Sequence, residues 1–273
     1  MSGQETAISP CAAAIDAAAA DGRAALIAYL PLGYPDFDRS LDAMRALVDA
    51  GVDIIEIGLP YSDPVMDGPV IEAAATEALA GGARVADLFR AVEALAPLGA
   101  PLLPMSYWNL IFRRGVERFA GELAAAGGAG LITPDLIPDE AADWIAASDA
   151  HGLDRVFLVA PTSTPERLAL TAGACRGFTY VTSTMGVTGE RSVLSGAARQ
   201  LVDRARAAGA ERACVGIGVS TPAHAAEAAA YADGVIVGSA FVRTLRDAAT
   251  PSGARADLAA LATALRDAAR RPR

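Results

Sequence analysis

Lysine is missing from this chain: all 23 basic residues are arginine. No amine is available to form a Schiff base with a substrate carbonyl or to hold pyridoxal phosphate, which excludes lysine-based aldol chemistry. Histidine is nearly as scarce. His151 and His224 are the only two, and neither has a second histidine at ligand spacing, which argues against a histidine-built zinc site. Both are expected on exposed helix surfaces. The three cysteines, Cys11, Cys175 and Cys214, stand far apart with an odd count and no metal-type spacing, and read as buried, reduced thiols. No apolar run reaches the roughly 18 residues of a membrane span. The start, MSGQETAISP, has neither the basic onset nor the apolar centre of a signal peptide, so a cytoplasmic protein is expected. A net charge of −9 argues against nucleic acid or an anionic membrane as partner. Any chemistry must run on carboxylates, hydroxyls, backbone amides and arginine.

What is present is apolar and periodic. With 273 residues and 53% hydrophobic composition, the chain can bury a large core, as one α/β barrel or two small domains. Short apolar runs at 25–30, 53–58, 101–106, 129–133, 155–160, 177–182, 213–218 and 233–238 read as eight strands. Helical patterns lie between them, among others at 38–50, 115–126, 139–150, 195–208 and 222–230, with a last one at 254–269. Strand–helix alternation repeated eight times predicts parallel strands with helical crossovers, closed into a (β/α)8 TIM barrel. A helix at about 9–20 and another at about 84–96 are additions to that plan, and the whole of 1–273 reads as a single domain with no linker or low-complexity tail.

The stretch IIEIGLPYSDPVMDGP, 54–69, carries the chemistry. With a side-chain period of two, Ile54, Glu56 and Gly58 share one face of the second strand, which aims an acid at an apolar interior. Burial disfavours the ionised carboxylate, so Glu56 should have a raised pKa and be able to give and take a proton near neutrality. Asp67, one compact turn later, is either a second catalytic carboxylate or a turn and cap residue before the helix that Pro69 starts. In a barrel of this kind the residues just after each strand form the active site.

After strand seven stand Gly216, Ile217 and Gly218, and after strand eight Gly238 and Ser239, each pair followed by a helical pattern. Glycines let backbone N–H groups approach an anion and helix N-termini favour it, so these turns are either a phosphate site or tight packing turns. A Rossmann reading fails, because the third glycine and the distant acid are missing. The polar loop 183–195, with Gly186, Gly189 and Arg191, reads as a lid or an insertion.

The runs EIGLPYSDPVMDGP, MSYWN (105–109), STMGVTGER and VIVGSA (235–240), in this order, resemble the tryptophan synthase alpha subunit family across essentially the whole chain. The resemblance implies a (β/α)8 barrel that cleaves indole-3-glycerol phosphate to indole and glyceraldehyde 3-phosphate, in the last steps of tryptophan biosynthesis. It implies no cofactor in this chain, pyridoxal phosphate being expected only in a partner beta subunit of an α2β2 complex. The family's catalytic glutamate and aspartate fall on Glu56 and Asp67, and its active-site tyrosine on Tyr180. Its phosphate contacts fall on Gly189, Gly218, Gly238 and Ser239, and the expected partner interface includes Pro64, Asn109 and Asp135. The chain departs from many members at Ile217 and Met66, which bears on the shape of the indole pocket.

The residues suit that reaction on their own terms. A proton must reach indole C3, and the cationic ring this creates needs a carboxylate at its nitrogen. Three alternatives stay open: a phosphosugar isomerase or epimerase, a stand-alone indole-producing lyase, and a non-catalytic activating subunit.

Overall fold

The computed structural model describes residues 8–182, 196–216 and 218–271. Eight parallel strands close in sequence order into a barrel: β1 (Ala25–Pro31), β2 (Ile54–Gly58), β3 (Leu102–Met105), β4 (Gly130–Thr133), β5 (Asp154–Val159), β6 (Thr179–Thr182), β7 (Ala213–Gly216) and β8 (Gly234–Val237). Each lies within two residues of the span read from the sequence. Their side chains alternate between two apolar layers, as a strand period of two demands. Ile27, Ile54, Leu103, Ile132, Val156 and Ile236 fill the barrel interior. Leu26, Ile55, Ile57, Leu131, Phe157 and Val235 point outward, under the helices. Each such buried side chain contributes about 1.5–3 kcal/mol, so a one-residue slip in register would be prohibitive.

Twelve helices are present among the described residues: α1 (Pro10–Ala20), α2 (Phe37–Asp49), α3 (Pro69–Ala80), α4 (Val85–Leu95), α5 (Trp108–Arg114), α6 (Val116–Ala125), α7 (Ala142–His151), α8 (Pro165–Ala174), α9 (Gly196–Ala207), α10 (Pro222–Ala229), α11 (Ser239–Asp247) and α12 (Pro251–Ala268). Helices α1, α8, α10 and α12 share one start signal. Ser9, Thr164, Thr221 and Thr250 each accept a backbone N–H of the first turn, and a proline follows directly. α1 closes the floor of the barrel, where Cys11, Ile15 and Ala18 complete the interior layer. No helix among the described residues is long and apolar enough to cross a membrane.

Three local expectations change. The pattern at 139–150 splits into a 3-10 turn, Pro138–Glu140, and α7. His224 is buried rather than exposed, because α10 turns that face inward, and its Nδ1 lies 3.3 Å from the Ser220 hydroxyl. His151 is half-buried, with Nε2 2.8 Å from Glu117. The three cysteines are free thiols, Cys11 and Cys214 buried and Cys175 half-buried.

Candidate active site

Strand β2 places Glu56 on the interior face, in register with Tyr29 of β1 and Leu103 of β3. The side chain is fully buried, and neither carboxylate oxygen has a hydrogen-bond partner among the described residues. Burial alone pushes its pKa up to about 8. At neutral pH Glu56 is therefore mainly a protonated acid, within reach of ionisation.

Asp67 sits in the turn between β2 and α3, partly buried. Burial first, then the Glu72 charge, raises its pKa to about 6, against a hydrogen bond from the Tyr107 hydroxyl that favours the charged form. The two acids are thus separated, Asp67 ionised where Glu56 still holds its proton. Tyr107, in the loop after β3, organises this turn. Its hydroxyl accepts the backbone N–H groups of Val65 and Met66, both at 3.1 Å, and its ring stacks on Tyr61 with centroids 4.9 Å apart. The next residue, Trp108, donates its N–H to the Asp135 carboxylate at 2.9 and 3.1 Å, joining the loops after β3 and β4.

Glu56 and Asp67 open onto a cleft at the C-terminal mouth of the barrel. Met66, Ile71, Met105, Leu158, Val219 and Ile236 give it apolar walls, and Tyr29 and Tyr180 flank the acid. Tyr180 leans over β7: a Cβ on Gly216 would fall 2.2 Å from its hydroxyl, so only glycine leaves the phenol room. The far rim is Gly218, Gly238 and Ser239. Gly218 has a φ of +101°, which glycine adopts without strain. Gly238 caps α11 with no side-chain hydrogen bond, so the cap supplies no acceptor to the first amides of the helix that starts at this rim.

The structure thus brings Glu56, Asp67, Tyr180, Gly218, Gly238 and Ser239 around one cleft. Gly189, the loop 183–195 and Ile217 lie outside the described residues. Pro64, Asn109 and Asp135 do not line the cleft. Pro64 and Asp135 stand on the loops after β2 and β4 and Asn109 in the first turn of α5, after β3, with Asn109 and Asp135 exposed and Pro64 half-buried. Two residues escaped the sequence reading. Tyr29 follows Ala25 and Ile27 at a period of two and was accessible to the rule that found Glu56. Tyr107 was not, because its partners are 41 and 42 residues away. Among the described residues no group of three or more His, Cys, Asp or Glu is placed to hold a metal ion.

Comparison with known proteins converges on one family. The family model described as tryptophan synthase alpha chain matches residues 15–270. The tryptophan synthase alpha chain of Mycobacteroides abscessus is 62% identical over 238 residues, covering 87% of this chain and 89% of that protein. That of Bifidobacterium longum is 59% identical over 226 residues, covering 83% and 78%. Among solved structures, Mycobacterium tuberculosis tryptophan synthase superposes with a TM-score of 0.90 at 54% identity, covering 96% of this chain and 99% of that one. Tryptophan synthase subunit alpha from Legionella pneumophila keeps a TM-score of 0.87 at 29% identity, covering 96% and 98%. An inward acid on β2, a second carboxylate in the following turn and a glycine rim after β7 and β8 are therefore carried on a chain that belongs to the tryptophan synthase alpha chain family.

Proposed function

We propose that this chain cleaves indole-3-glycerol phosphate to indole and glyceraldehyde 3-phosphate, with Glu56 as the general acid and base and Asp67 as the stabilising carboxylate. The observation that carries the reading is the buried Glu56, without a hydrogen-bond partner among the described residues, beside a second, more acidic carboxyl in an apolar cleft. Protonated Glu56 gives its proton to indole C3, and the ring becomes an iminium cation at nitrogen. Asp67, ionised, accepts the indole N–H and offsets that charge. The Glu56 carboxylate then takes the proton of the side-chain hydroxyl next to the ring. The C–C bond breaks, its electrons return to the indole, and the aldehyde forms with Glu56 reprotonated. One proton leaves and one returns, so the cycle closes on this chain's own groups. No cofactor is assigned to it.

The phosphate is assigned to the amides around Gly218, Gly238 and Ser239, with Gly189 joining them from outside the described residues. The helix dipole of α11 and backbone donors suit a dianion where lysine is lacking. Tyr180 packs beside Glu56 and bounds the indole side of the cleft.

A beta subunit carrying pyridoxal phosphate is the proposed partner, in an α2β2 complex. Supporting this, Val65, Phe112 and Ile137, on the loops or helix after β2, β3 and β4, are 70%, 64% and 43% exposed, beside Pro64, Asn109 and Asp135. Apolar groups clustered at one rim suit a protein surface. A partner seated there would hold the turn that carries Asp67. We read the chain as one domain acting in the cytoplasm.

The test is Glu56→Gln, which keeps size and polarity but cannot shuttle a proton. Cleavage is expected to fall by about 10² to 10⁴, roughly 3–5.5 kcal/mol of barrier. A variant that keeps most of its turnover would remove Glu56 from the reaction.

A further inference from the structure

Tyr29 of β1 stands in the cleft without an assigned task. It pairs in register with Glu56 on the neighbouring strand, and both side chains line the cleft. Its ring leans across to β2. A Cβ on Gly58 would lie 2.2 Å from the Tyr29 hydroxyl, 2.4 Å from Cζ and 2.5 Å from Cε2, closer than real side chains come. On its other flank the ring meets β8, where a Cβ on Gly238 would be 3.2 Å from Cδ1. The phenol of one strand therefore stands where the side chain of the next would be, in a seat that glycine at position 58 leaves open.

That seat has a definite place relative to the two acids. With a strand period of two, Gly58 shares the inward face of β2 with Glu56, about 6.6 Å further along the strand. It is the last residue of β2, and the turn that carries Asp67 begins beyond it. Indole offers both of its reacting atoms on one five-membered ring: C3, which takes the proton from Glu56, and the nitrogen, which Asp67 faces. C2 alone lies between them, and the benzo ring is fused on the opposite side. A substrate set against both acids thus turns its C2 edge to the stretch of wall between Glu56 and the Asp67 turn. The Tyr29 phenol fills that stretch.

We infer that Tyr29 is a specificity-determining residue: its phenol, seated over Gly58, closes the cleft against the C2 edge of the indole, so that rings substituted at C2 are excluded. This rests on the roles given above to Glu56 and Asp67. The selection is steric. A methyl group at C2 would have to share the space of ring atoms held between β2 and β8, and rejection by an obstructing wall needs no bond to the substrate. A methyl group on the benzo ring, at C5, points away from both acids and does not meet Tyr29.

The reverse reaction lets the ring be varied with simple probes. In it Glu56 gives its proton to the aldehyde oxygen of glyceraldehyde 3-phosphate, indole C3 forms the C–C bond, and the Glu56 carboxylate takes the C3 proton. We would measure kcat/KM for this condensation on the full chain with indole, 2-methylindole and 5-methylindole. The wild-type chain should use 2-methylindole about tenfold or more less well than indole, the scale of one misplaced methyl group. Tyr29→Leu, whose side chain does not reach Gly58, should raise the 2-methylindole-to-indole ratio about tenfold and leave the 5-methylindole-to-indole ratio within about twofold. Tyr29→Phe keeps the ring and should keep the wild-type ratios. Adding Gly58→Ala to Tyr29→Leu returns a methyl group to the seat and should lower the 2-methylindole ratio again. A wild-type chain that uses 2-methylindole as well as indole overturns the inference without any variant, and so does a Tyr29→Leu chain in which the two methylindole ratios stay fixed or move together. Glu56→Gln separates the two levels. If it condenses indole at the wild-type rate, the placement of C3 against Glu56 is wrong and the inference falls with it; if it is inactive while Tyr29→Leu leaves the ratios unmoved, only the role of Tyr29 is wrong.

Discussion

The two ends of the barrel treat their acids in opposite ways. At the floor, Asp154 opens β5 fully buried, and one oxygen accepts the Ser9 hydroxyl at 2.8 Å and the Cys11 N–H at 3.1 Å while the other faces the Arg176 guanidinium at 3.5 Å. Asp53, just before β2, takes both terminal nitrogens of Arg23 and the N–H of Leu26. Asp233, before β8, takes the N–H of Ala213 and the guanidinium of Arg206. At the mouth, Glu56 is as buried as Asp154 and has no hydrogen-bond partner among the described residues. Equal burial with opposite satisfaction separates a joint from a reagent. The floor acids tie strands to α1 and to one another, and the mouth acid is left free to exchange a proton with a ligand.

Breaking the floor should cost the fold. Asp154→Ala strands the Ser9 hydroxyl, the Cys11 amide and a guanidinium, and is expected to lower stability by about 3–5 kcal/mol, as removal of one partner from a buried pair does. Denaturant unfolding measures it; a loss under about 1 kcal/mol would dissolve the distinction between the two ends.

Emptying the mouth of its acid should do the reverse. Glu56 has a folded-state pKa of about 8, above its ordinary value. The unfolded chain therefore loses this proton first, and Glu56 lowers stability as pH rises from its unfolded pKa to about 8, by about 1.4 kcal/mol per unit. Below that window the contribution is absent, and above it the penalty is complete. Glu56→Gln should be the more stable protein at pH 8, with the gap closing toward acid pH. A gap independent of pH would show that another group sets the slope.

The phosphate rim offers a milder contrast, since it binds through backbone rather than side chains. Gly238→Val should raise KM for indole-3-glycerol phosphate by about tenfold or more, by obstructing the approach of the anion to the amides. A Cβ there also meets the Tyr29 ring at 3.2 Å, so affinity for inorganic phosphate should be measured beside KM. Unchanged phosphate affinity would move the anion site elsewhere.

Much of this contrast was legible before any coordinates. The strands announced themselves as short apolar runs because both barrel faces are buried, and Glu56 stood out as the one acid inside such a run. The inward direction of Glu56 followed from the period of two. Helices α5 and α8 fell outside the named segments; α5 has only seven residues, less than the two turns over which periodicity becomes visible. The burial of His224 depended on how α10 is rolled against the barrel. The link from Tyr107 to Val65 and Met66, and the phenol of Tyr29 resting over Gly58, join residues far apart in the chain. Such contacts exist only once the loops and strands stand side by side.

The most direct measurement is the ionisation of Glu56 itself. Carbon-13 labelling of glutamate carboxyls, with the Glu56 signal identified by its absence in Glu56→Gln, follows one acid through a pH titration of the free protein. The expected midpoint is about 8, with Asp67 titrating near 6 in a parallel aspartate-labelled sample. A Glu56 midpoint at the ordinary glutamate value of about 4.3 would mean that the mouth of the barrel solvates or pairs its acid as the floor does, and would contradict the acid–base role assigned to it.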